Sequence, residues 1–117
     1  METGVEESER ARLTALVDGI WPRVEAGDAT LEEVRATALS VFDRLGAVGG
    51  LDRWEKHHFV WVLKGLALNR AHPGAGLHTA LRGLEQTLAP PEARAAVADP
   101  ELDGLEDGDL RELVAAA

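Results

Sequence analysis

The sequence predicts an all-α fold: a compact single-domain bundle of about five to seven helices, covering residues 1–117 and built around a buried central helix at 51–70. Three observations point there. Apolar positions recur at steps of three and four residues through most of the chain. Alanine and leucine dominate the apolar residues while isoleucine occurs once and tyrosine never, a composition poor in the side chains that favour a pleated sheet. A chain of 117 residues suits one domain with one core.

The first helix is expected from about Val5 to Val24, because Leu13, Leu16, Val17, Ile20 and Val24 form one stripe. Pro22 lacks the amide that would bond back to Asp18, so a kink or a break into two short helices is expected near residues 18–22, with Trp21 packed at the bend. The second helix begins at Thr30, with Glu33 three residues on as a capping box, and runs to about Leu45 along Leu31, Val34, Ala38, Val41 and Phe42. Gly46 and the loop AVGG end it.

The central helix opens with Leu51, Asp52 and Glu55, a hydrophobic residue followed by an N-cap and its capping-box acid. From Phe59 onward it is apolar around most of its circumference, the pattern of a helix enclosed by others. A helical wheel places Glu55, His58, Gly65 and Asn69 on the face expected to be buried. Gly65 weakens a helix by about 1 kcal/mol relative to alanine, which implies close approach by a neighbouring helix. The linker AHPGAG separates it from a fourth helix over about 77–88, with a seam of Leu77, Leu81, Leu84 and Leu88. Pro91 then starts a short fifth helix through EARAAVA, and an acid-rich stretch leads to a last helix at roughly Asp109–Ala116, N-capped by Asp107 or Asp109.

The formal net charge of −9 is unevenly placed. Residues 1–50 carry ten acids and five bases, residues 83–117 carry nine acids and two bases, and residues 51–82 reverse the balance with two acids, five bases and all four histidines. An acidic chain lacks the electrostatic footprint of phosphate-backbone binding, so no nucleic-acid partner is expected. No apolar run reaches bilayer length and the opening METGVEESERAR is acidic and polar, so the expectation is a cytoplasmic protein without membrane attachment. There is no cysteine, hence no disulfide or thiol ligand. No nucleophile elbow, phosphate-cradling loop or dinucleotide fingerprint is present, which points away from an enzyme and implies no cofactor.

Three places are candidates for function. Glu55 and His58 form an ExxH pair, one turn apart on one helix face, as in half of a helical di-iron carboxylate centre. A complete centre repeats the pair, and no second ExxH exists. The metal or small-ligand reading of Glu55 and His58 therefore stands as an alternative, beside a buried His58 hydrogen-bonded to Glu55 or another partner. Asp99, Glu101, Asp103 and Gly104 match the start of a calcium-loop register, but Leu110 stands where the bidentate glutamate belongs, so an acid-rich capped turn is expected. The third place is the surface around Trp54, His57, Trp61 and Lys64. Core packing accounts for the tryptophans if the helix is enclosed on all sides. If one flank is uncovered, the same residues make an interface for a protein partner or for self-association. The sequence thus favours a small non-catalytic protein-interaction module such as an adaptor, immunity-like inhibitor or accessory subunit.

Overall fold

The computed structural model describes residues 7–47, 50–97 and 99–117. The expected helix start at Val5, part of the 47–50 loop and Ala98 lie outside the described residues. The fold is all-α. Its helices are α1 (Glu7–Glu25), α2 (Leu31–Gly46), α3 (Arg53–Leu68), α4 (Ala75–Thr87) and α5 (Asp107–Ala116), with 3-10 turns at Pro91–Ala93 and Pro100–Gly104 between the last two.

Local signals place the helix starts. The Glu33 amide donates to Thr30 Oγ1 at the head of α2. At the head of α3 the Glu55 amide donates to Asp52 Oδ1 at 2.8 Å while the Asp52 amide donates to Glu55 Oε1 at 3.0 Å, the reciprocal capping box. Of the kink or break expected near residues 18–22, the break is absent: α1 is a single helix through Pro22. Asp18 and Pro22 both face solvent, where water can satisfy the carbonyl that proline leaves unpaired.

The central unit is the antiparallel hairpin of α3 and α4. Its turn is held by Asn69, whose Oδ1 accepts from the Gly74 amide at 3.0 Å, with Gly74 at φ +90. Asn69 was expected on the buried face; it instead closes the turn between the helices. The close approach expected at Gly65 is present: a Cβ there would lie 2.5 Å from the Ala80 nitrogen and 2.7 Å from the Gly76 carbonyl oxygen. A Cβ on Gly76 would collide with the Asn69 backbone, and one on Gly83 would come within 2.8 Å of Val62 Cγ2. Three glycines thus let two helix backbones meet almost directly.

The core is one cluster drawn from all five helices, including Leu13, Val17, Val41, Phe59, Val62, Leu81, Leu84, Leu110 and Val114. Phe42 and Phe59 meet edge to face at 4.9 Å between α2 and α3. α5 closes one end. Arg111 pairs with Asp43 of α2, and Asp107 Oδ2 accepts from the Leu51 amide at 2.9 Å. Asp107 or Asp109 was expected to cap α5, but both lie inside its first turn: Glu106 occupies the N-cap without a side-chain bond, and the Asp107 carboxylate serves the chain entering α3.

Among the described residues, the expected helix through EARAAVA is absent beyond the single turn Pro91–Ala93. Arg94 explains the difference. Its backbone is extended, and its guanidinium donates to the Ala89 and Thr87 carbonyls at 2.8 and 3.2 Å. It also donates to Asp52 Oδ2 at 2.9 Å and lies 3.6 Å from Glu55 Oε2. The side chain satisfies orphan carbonyls at the end of α4 and ties them to the start of α3, which a continued helix would prevent.

Candidate functional site

The spacing of Trp54, His57, Trp61, Lys64 and Leu68 alternates three and four residues, so these side chains form one stripe along α3. The other side of α3, with Phe59, Val62, Gly65 and Leu66, is buried against the bundle. The enclosure expected from the apolar run is therefore incomplete: among the described residues, Trp61 is left 46% exposed and Leu68 41% exposed.

Each sequence-selected residue has a distinct setting. Trp54 is half-buried, with Nε1 donating to the Gln86 carbonyl at 2.6 Å in the last turn of α4. His58 sits between two rings, 4.4 Å from Trp54 and 4.9 Å from His57. Burial, followed by repulsion from the adjacent His57 and Arg94 side chains, lowers the His58 pKa to about 4, so its imidazole is neutral at physiological pH. Trp61 lies flat under a cation, with Lys64 Nζ 4.7 Å from its ring centroid.

Glu55 and His58 lie on neighbouring positions of one face, as their spacing requires, but their side chains serve different neighbours. Glu55 completes the capping box and faces Arg94; burial, followed by the nearby Asp52 charge, raises its pKa. His58 packs on Trp54 and His57. Among the described residues no hydrogen bond joins the pair and the half-buried His58 ring bonds to no other partner, which departs from the expected buried His58 bonded to Glu55 or another group, and no three His, Asp or Glu side chains converge as a metal site. The acid-rich stretch likewise distributes its carboxylates. Asp99 caps the turn at the Glu101 amide, Asp103 pairs with Arg53, and Asp107 holds Leu51.

Beside the stripe lies a cleft of about 330 Å³ between α3 and α4. His58 and Trp61 form one wall, His78, Arg82 and Gln86 the other, and the buried Gly83 lies at the floor. Trp21 of α1 steadies the far wall, meeting the His78 ring edge-on at 4.8 Å while its Nε1 donates to Glu85 at 2.6 Å. This agrees with a core-edge role for Trp21. A larger open trough of about 850 Å³ runs between α1 and residues 88–92, but Ala11, Ala15, Leu88, Pro90 and Pro91 line much of it and no aromatic side chain enters it. Its size alone does not make it the better candidate.

The basic excess of residues 51–82 is resolved unevenly. Arg53 and Lys56 pair with Asp103 and Asp107, and Arg70 donates to the Ala116 carbonyl. Among the described residues, Lys64 and Arg82 enter no ion pair. Both stand at the exposed aromatic flank, giving it an apolar centre and a cationic border.

Sequence reasoning missed Arg94 and Arg82. A usable signal for Arg94 existed: it is one of two bases in residues 83–117 and follows a helix end whose carbonyls need donors. Arg82 had no comparable signal, because its role depends on which side of α4 meets α3.

In comparisons with known proteins, no family model, no curated protein and no solved structure matches the chain.

Proposed function

We propose that this chain is a small non-catalytic protein-interaction module that binds a partner protein, or itself, through the outer flank of α3 and the adjoining cleft. The reading places it in the cytoplasm as an adaptor, immunity-like inhibitor or accessory subunit. One observation carries it: Trp61 and Leu68 are exposed together on one stripe, bordered by Lys64 and Arg82, which enter no ion pair among the described residues. Tryptophan and arginine are the residues that most often dominate binding energy at interfaces, and an aromatic centre with a polar rim is their usual arrangement. Among the described residues no helix is long and apolar enough to cross a membrane.

The test places a photo-crosslinking phenylalanine analogue at Trp61 and, as a control, at the exposed Leu16 of α1. The expected result in cells of the source organism is a discrete adduct from position 61 that Lys64→Glu suppresses and that position 16 does not form. Equal adduct patterns from the two positions, or none from position 61, would overturn the reading.

A further inference from the structure

We infer that the partner for the α3 flank is a second copy of this chain, which docks the outer face of its α5 there in a head-to-tail contact. The inference rests on the reading of α3 as an interaction face. It starts from the large apolar side chains left exposed: Leu16, Trp61, Leu68 and Leu113. Trp61 and Leu68 belong to the α3 stripe. Leu113, 50% exposed, lies on α5 with Glu106, Asp109 and Ala116 at three- and four-residue steps, and Glu112 flanks it. All of these α5 residues face solvent.

The two stripes are complementary in kind. One presents Trp61 and Leu68 with Lys64, Arg82 and His57; the other presents Leu113 and Ala116 with three carboxylates. The one cation on α5, Arg111, is paired with Asp43 of α2, and Arg70 reaches only the Ala116 carbonyl, so among the described residues the three carboxylates enter no ion pair. Leu16 has a different setting: Arg12 and Arg23 on its α1 stripe are paired with Glu9 and Glu33, so it carries no uncompensated charge to complement either stripe. Both complementary stripes point outward from the same bundle, so they cannot meet within one molecule. A symmetric pairing of α3 flanks would instead set Lys64 and Arg82 against their own copies, a juxtaposition that like-charge repulsion disfavours. Opposite patches on one surface produce a heterologous contact, whose repetition makes a ring or an open chain.

The test measures weight-average mass by light scattering at low and high salt, on wild type and on two variants whose helicity is first confirmed by circular dichroism. One variant, Trp61→Ala with Lys64→Glu, removes the α3 stripe. The other, Glu112→Lys with Leu113→Lys, removes the α5 stripe and leaves cations near a helix C-terminus, where they are tolerated. The expected result is a wild-type mass that rises above 12.5 kDa with concentration and falls back in high salt. Each variant alone should stay monomeric, and an equimolar mixture should stop at a dimer, because one intact interface remains. If a double variant loses helicity, the single changes Lys64→Glu and Glu112→Lys replace it.

A wild-type protein that is monomeric throughout would overturn the inference, as would a mixture that stays monomeric. A dimer that survives loss of the α5 stripe but not of the α3 stripe would overturn it in favour of symmetric pairing. In those cases the interaction reading itself stands or falls separately, on the crosslink from position 61.

Discussion

Gly65→Ala is the sharpest test of the α3–α4 contact. The added Cβ would lie 2.5 Å from the Ala80 nitrogen, 2.7 Å from the Gly76 oxygen and 2.9 Å from Ala80 Cα. All three are backbone atoms, so no side chain can rotate away; the helices must separate. Overpacking of this kind costs about 3 kcal/mol when neighbours cannot yield. Alanine recovers about 1 kcal/mol through helix propensity. The net expectation is a loss of about 2 kcal/mol, or a melting temperature lower by about 8 °C for a domain of this size. Gly19 is the matched control: it lies within α1, faces solvent, and an added Cβ meets nothing within 4 Å. Gly19→Ala should therefore stabilise by about 0.5–1 kcal/mol. Urea unfolding of both variants, followed by circular dichroism, measures the difference. If Gly65→Ala unfolds at the wild-type urea concentration or above it, the direct backbone contact is refuted.

Arg94→Met keeps the bulk of the side chain but leaves the Thr87 and Ala89 carbonyls without their donor and Glu55 without its cation. A loss of about 2 kcal/mol is expected in urea unfolding, and Arg94→Lys should not restore it, because an ammonium lacks the guanidinium fork. Asp107→Ala removes the acceptor of the Leu51 amide and should cost about 1 kcal/mol, with faster hydrogen exchange at that amide. For His58, the folded pKa of about 4 lies below the ordinary 6.5, so the unfolded chain binds the extra proton. That contribution is full above pH 6.5 and is lost as pH falls toward 4. With solvent screening of a half-buried ring it amounts to about 1–2 kcal/mol. Glu55 has the opposite sense: its pKa is raised, so acidification through the carboxylate range favours its folded form and opposes the lower end of the His58 slope. Comparing urea stability at pH 7 and pH 5 should show a smaller drop in His58→Gln than in wild type.

What the sequence determined by itself was local. Thr30 with Glu33, and Asp52 with Glu55, lie three residues apart, so each cap bond closes within one turn; Asp52 and Glu55 make the full reciprocal box, whereas at Thr30 only the Glu33 amide bond of the box forms and the Glu33 carboxylate turns to Arg23. The helical stripes were legible for the same reason, because three- and four-residue steps define a face without reference to any neighbour. Gly65 announced a close approach because glycine within a helix is otherwise unfavourable, although it did not say which helix would come near. The partners of Arg94 were hidden: Asp52 stands 42 residues away, and only packing of α4 against α3 brings the two together. The same packing gave Glu55 a cation, while His58 packs on Trp54 and His57 of its own helix, where the ExxH spacing alone suggested a shared ligand. Tertiary structure also decided which flank of α3 stayed open. An apolar stripe looks the same in sequence whether a neighbour covers it or not, and that depends on how four other helices divide the space around it.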